Sequence, residues 1–161
     1  MPEQGTTLED RYRDFYAWAQ EQAFRLREAR PNSVDWQGLA EEIEDLGSEQ
    51  VNTVLSQLRN MLAHILKAAY DPTATSWKHW MGEIIEFRAD AANHFSPSMR
   101  REVEPGLAKE YERARQRTIR QFEADPGLPN ECPFTLDELL DEQVPPERYA
   151  DRLAAGESAP S

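Results

Sequence analysis

Apolar residues recur along this chain at steps of three and four, the period of an amphipathic helix. In the first such stretch, about 7–29, Leu8, Tyr12, Phe15, Ala19, Ala23 and Leu26 fall on one face. Pro31-Asn32-Ser33 ends it, and Ser33 offers a short side-chain oxygen to cap the next helix. The second stretch has Trp36, Leu39, Ala40, Ile43 and Leu46 as its inner stripe, up to an expected joint at Gly47-Ser48. A third presents Val51, Val54, Leu55, Leu58, Met61, Leu62, Ile65 and Ala69. Asp71-Pro72 breaks the pattern, and Thr75 or Ser76 begins a fourth helix. After a further break over 93–98, Leu107, Tyr111, Ala114, Thr118 and Phe122 mark a fifth, which Pro105-Gly106 should kink or delay. A turn-rich linker over 125–129 follows. Thr135-Leu136-Asp137-Glu138 then matches a capping box for a short helix through about Asp141. No segment alternates with the period of a strand. The expectation is an all-α fold, a helical bundle of four to five main helices plus a short C-terminal helix. It would form a single domain over 7–144, between a flexible N-terminus at 1–6 and a flexible acidic tail at 145–161.

One residue breaks the pattern from inside. At about 100° per residue, Trp77, Trp80, Met81, Ile84, Phe87, Ala91 and Phe95 share a face, and Arg88 lies near its middle. A guanidinium keeps its proton, so once taken from water it needs a carboxylate or a set of carbonyls beside it. The densest acidic stretch, Glu41-Glu42-Ile43-Glu44-Asp45, supplies candidates. Glu42 and Glu44 flank their apolar stripe, while Glu41 and Asp45 point away. The expectation is that an acid from a neighbouring segment answers Arg88, with Glu42, Glu44, His64 and Arg88 forming a structural polar network. The alternative is an acid–base or metal-dependent enzyme using Glu42, His64 and Arg88 in an interhelical cleft.

Other candidate chemistry is thin. His64 has no carboxylate or histidine three or four residues away, the spacing a helical metal pair needs. It reads as a satisfied, half-buried side chain, and neither metal nor cofactor is expected. His79, Glu83, Glu86 and Asp90 stack opposite the tryptophans as a solvated face or partner surface, without the closed oxygen cage calcium requires. Lys109, Arg113, Arg117 and Arg120 form a basic stripe, interrupted by Glu110, Glu112 and Glu123 and so suited to local salt pairing. Cys132 is the lone cysteine; it can form no intrachain disulfide and lacks a basic activator nearby. Neither a Gly-rich phosphate loop nor a serine-hydrolase elbow is present. Phe15, Tyr16 and Trp18, close behind Tyr12, read as core.

Charge narrows the classes further. A net charge of −12 opposes nucleic acid, where Lys and Arg contacts to phosphate supply most of the affinity, and opposes an anionic membrane surface. No apolar run is long enough to cross a bilayer, and Glu3, Glu9 and Asp10 do not fit a secretory leader. A cytoplasmic protein is expected, acting without catalysis through a protein partner or self-association, as an interaction or accessory regulatory domain.

Several segments in order carry a resemblance. They are Asp14-Phe15-Tyr16-Ala17-Trp18-Ala19 with Glu21-Gln22, and Asp35-Trp36 through Leu39-Ala40-Glu41-Glu42-Ile43-Glu44-Asp45-Leu46-Gly47. Next come His64-Ile65-Leu66-Lys67, the helix over 77–88, Tyr111 with Ala114-Arg115, and Cys132-Pro133-Phe134-Thr135-Leu136. Together they resemble the bacterial family called domain of unknown function 29, over about 10–144. The resemblance implies a small helical protein and brings no catalytic residue with it. Members of that family usually carry Gln-Arg where this chain has Phe87-Arg88, so the arginine is kept and its neighbour differs.

Overall fold

Asp14 opens the first well-defined helix. Its carboxylate Oδ1 accepts from the Ala17 N–H at 3.0 Å, and non-helical Asp14 interrupts the stretch expected as one helix over about 7–29. The computed structural model describes residues 13–29 and 35–156. Among them lie α1 (Phe15–Glu28), α2 (Trp36–Tyr70), α3 (Trp77–His94), a 3-10 turn (Pro97–Met99), α4 (Arg100–Phe122), α5 (Leu136–Leu140) and α6 (Pro146–Ala155). The fold is all-α, with no strand among the described residues. Contacts divide the chain into two compact units. One is Met1–Asn52 with Phe95–Glu102; the other is Thr53–His94 with Val103–Ser161. The expected N-terminus at 1–6 and the expected cap at Ser33 lie outside the described residues.

In the first unit, Asp14 does more than cap α1. The same Oδ1 accepts from the hydroxyls of Ser96 at 3.0 Å and Ser98 at 2.8 Å, so one oxygen ties the helix start to the 3-10 turn. Asp35 accepts from the Gly38 N–H at 2.9 Å and fixes the entry to α2. The joint expected at Gly47-Ser48 is absent, since α2 runs unbroken for 35 residues. Gly47 serves a close approach instead. A Cβ there would sit 3.3 Å from the Ala19 Cβ and 3.4 Å from Tyr16 Cδ2. The buried stripe is therefore Ala40, Gly47 and Val51, about 60° round the helix from the one expected, with Ala40 at the edge they share. Leu39 and Leu46, expected inside, are 45% and 50% exposed.

In the second unit the expected apolar faces do form the core. Val54, Leu58, Met61, Leu62 and Ile65 of α2 are buried, as are Trp80, Met81, Ile84 and Ala91 of α3. Pro105 neither delays nor ends α4. It is exposed near the helix start, where its missing N–H removes one bond close to the helix end. Gly106 lets Leu55 press on the helix, because a Cβ there would stand 3.0 Å from Leu55 Cδ2. The segment after α4 is stitched down. Asp125 Oδ1 accepts from the N–H groups of Gly127 at 2.9 Å and Leu128 at 3.0 Å, and Tyr111 donates its hydroxyl to the Pro129 carbonyl at 2.8 Å.

The capping box at Thr135 forms as its sequence predicts. Thr135 Oγ1 accepts from the Glu138 N–H at 3.2 Å, and Glu138 Oε2 accepts from the Thr135 N–H at 2.9 Å. Beyond it, the flexible tail expected from residue 145 is corrected by α6. Tyr149 and Leu153 recur at a step of four and are both buried, and Gly156 closes the helix in the left-handed region at φ 71°. Tyr149 donates to the Glu138 carbonyl at 2.6 Å, and its ring meets Phe134 edge-on at 5.3 Å. Among the described residues, no helix is long and apolar enough to cross a membrane.

Candidate functional site

Arg88 is buried, with 5% of its surface exposed, as its place in the apolar stripe requires. What answers it is not an acid. One terminal nitrogen donates to the backbone carbonyls of Asp141 at 3.2 Å and Val144 at 2.5 Å. The reason lies in the turn between α5 and α6. Asp141 ends α5, where carbonyls lack helical partners and carry partial negative charge, and a guanidinium suits that end. Burial raises the Tyr149 hydroxyl above the usual tyrosine range, and the adjacent Arg88 opposes that rise.

The remaining members of the expected network do not share Arg88's contacts. Glu44 pairs with Arg27 through both carboxylate oxygens, one at 2.6 Å, and this bonding holds its carboxyl below the usual range. Glu42 is exposed. Glu42 and Glu44 lie in the first unit, His64 and Arg88 in the second. The correction has a simple cause: α2 turns its small residues inward, which swings Glu42 to solvent and Glu44 to α1.

His64 does occupy a cluster, with other residues. Asn60, His64 and Lys67 recur at steps of four and three along α2, while Trp80, Glu83 and Phe87 recur at three and four along α3. The Phe87 ring lies 5.4 Å from the His64 ring, and Lys67 Nζ stands 5.7 Å over the Trp80 ring. On the solvent side, exposed Arg117 of α4 donates to Asn60 Oδ1 at 3.2 Å. The backbone carbonyl of Asn60 meets His64 Nδ1 at 2.8 Å. A carbonyl can only accept, so Nδ1 carries the hydrogen and Nε2 of the neutral ring keeps a lone pair. Burial lowers the His64 proton affinity, against the pull of that carbonyl bond. Burial and then Arg117 lower that of Lys67, which is only 6% exposed.

A second buried charge escaped the sequence reading. Glu110, 4% exposed, accepts from Arg59 at 3.1 Å and from Arg113 at 2.7 Å. The signal was present: Leu107, Glu110 and Ala114 lie at steps of three and four on the inner face of α4. Lys67 had a similar signal, standing between buried Leu66 and Ala68.

Elsewhere the chemistry is sparse. His79 lies 3.9 Å from Glu83, while Glu86 and Asp90 are exposed. Among the described residues no three His, Cys, Asp or Glu side chains gather as a metal would need. Cys132 lines a cavity of about 390 Å³ with Tyr111 and Leu107, and burial pushes its thiol up to about 11. On the surface, Leu39 and Leu46 lie one above the other with half-buried Ile43, bordered by exposed Glu41, Glu42 and Asp45.

Known proteins resemble this chain in fold and in sequence. A crystal structure of an alpha-helical protein of unknown function from Rhodospirillum rubrum is similar to it, at 25% identity with a TM-score of 0.77. The likeness covers 89% of this chain and 96% of that one. Among curated proteins, none matches. Residues 12–144 match the model of the family described as Domain of unknown function DUF29, and the chain belongs to that family.

Proposed function

We propose that this protein acts without catalysis, through a protein–protein contact made by the first half of α2. The observation that carries the reading is the exposure of Leu39 at 45% and Leu46 at 50% on one stripe with Ile43. Large apolar side chains grouped on a surface lower the free energy of whatever covers them. The border of Glu41, Glu42 and Asp45, in a chain of net charge −12, favours a partner helix whose own apolar stripe is edged by Lys or Arg. The working compartment is the cytoplasm, which suits a lone, unpaired cysteine.

Sedimentation of the whole chain at low salt reads self-association, and capture from lysate at the same salt reads a foreign partner. A chain with both Leu39→Lys and Leu46→Lys serves as the control. The reading expects either self-association or an identified protein bearing a basic amphipathic helix, lost in the double variant. A chain that stays monomeric and captures nothing beyond what the double variant captures overturns it.

A further inference from the structure

Lys67 is 6% exposed, and its ammonium stands over an aromatic face with no acid beside it. Its nearest charged influences are Arg117 and Glu83, and Glu83 is turned toward His79 at 3.9 Å. Arg117 is met by the neutral Asn60 oxygen. Among the described residues, neither cation has a carboxylate within ion-pair distance. Arg117 is exposed, so it stands at the mouth of the niche and Lys67 at its buried end, whereas Arg88 takes two carbonyls and Arg59 takes Glu110. A buried charge without an opposite charge is costly, and an ammonium offers three donors, so this niche favours an anion.

We propose that Lys67, Arg117 and the Nε2 side of His64 form a proton-coupled binding site for a small oxyanion, a carboxylate or a phosphate. Lys67 and Arg117 supply fixed positive charge, while Trp80 and Phe87 limit access of water and strengthen that field. His64 supplies the coupling. Its Nδ1 hydrogen is committed to the Asn60 carbonyl, so a proton taken from solvent must enter at Nε2. The groups that act on it are Lys67 on its own helix, Glu83 on α3 and Arg117 on α4. Both cations discourage the proton and Glu83 favours it; an arriving anion offsets the cations. Binding therefore favours the proton on Nε2, and by linkage the anion binds more tightly as pH falls through the His64 titration. The chain's net charge of −12 opposes an anion at long range, but salt screens that repulsion beyond about 10 Å, while Lys67 acts at contact.

Imidazole resonances of the intact chain, titrated with sodium phosphate, with acetate, and with chloride at matched ionic strength, test the site. The proposal expects a saturable change at His64, absent at the exposed His79 and His94. It also expects a rise of about one unit in the His64 midpoint at saturation. Lys67→Met and Arg117→Gln should each weaken binding by about tenfold or more, while Lys109→Met on the outer stripe leaves it unchanged. A response to phosphate alone or to acetate alone identifies the anion. Should Lys67→Met not fold, Arg117→Gln and the native His64 midpoint still decide. A His64 that follows His79 and His94 in all three salts overturns the proposal, as does undiminished affinity in Lys67→Met. The Leu39→Lys, Leu46→Lys chain should bind the anion normally, so this site and the contact proposed on α2 stand or fall separately.

Discussion

Arg88 donates to the Val144 carbonyl at 2.5 Å, so a cation on α3 holds the turn that leads into α6. The bond is charge-assisted and part-buried, and the Asp141 carbonyl shares the same nitrogen at 3.2 Å. Replacing Arg88 by Ala takes the donor from the Val144 carbonyl, leaves the Asp141 carbonyl with only the Val144 N–H at 3.2 Å, and opens a void. The expected cost is about 3 kcal/mol, from bonds to a charged group together with lost packing. Urea unfolding checks it, with Glu42→Gln, on the solvent side, expected to stay within about 0.5 kcal/mol of the native chain.

Asp14 offers a second test. One carboxylate oxygen serves the Ala17 N–H and the hydroxyls of Ser96 and Ser98. Asp14→Ala removes the helix cap and leaves the Ser96 hydroxyl, in a buried residue, short of its acceptor. A loss of about 1–2 kcal/mol is expected. Amide exchange should quicken first in α1 and at the 3-10 turn.

Gly47 separates a joint from a contact. If it served as a hinge, larger residues would merely stiffen α2. Because Ala19 and Tyr16 lie against its missing side chain, Gly47→Leu should instead push α1 away, costing about 1–3 kcal/mol. Exchange rates that rise in α1 while those within α2 hold would match the contact; unchanged stability would contradict it.

Stability should depend on pH through His64. Burial holds its folded proton affinity below that of the unfolded chain, so the unfolded state binds more protons between the two values. The stabilisation is complete above the ordinary imidazole range and is lost as pH falls through it toward the folded value. In phosphate-free buffer, His64→Gln should flatten that slope in thermal unfolding. Anion bound at Lys67 would itself flatten the native slope, because it raises the folded value.

Cys132 should be slow. With burial pushing its thiol up to about 11, little thiolate exists at neutral pH, and a chromogenic disulfide reagent should react fully only after unfolding. Rapid labelling of the native chain would contradict this.

Much of the architecture was legible because it is local. Helical periodicity needs only the order of apolar and polar residues, and the Thr135 capping box needs only four consecutive residues. Arg88 was legible as buried for the same reason, since its neighbours at three and four residues are apolar. Its partners were not: a chain reversal more than fifty residues away delivers them as backbone carbonyls, which every residue possesses and no side-chain pattern marks. Glu110 and Lys67 stood in apolar company too, yet charged side chains near an interface can turn outward, and only packing shows that these do not.

By itself, then, the order of residues settled that the chain is helical, where most helices stop, and that one guanidinium turns inward. Tertiary structure decided which face of α2 is the inside, because the small side chains of Ala40 and Gly47 admit α1 more closely than Leu39 and Leu46 would. It also decided that 146–155 fold, since Tyr149 and Leu153 gain a place to be buried only when α6 docks. Helix periodicity is a property of neighbours along the chain; burial and partnership belong to residues far apart in it, and those come into being only when the helices meet.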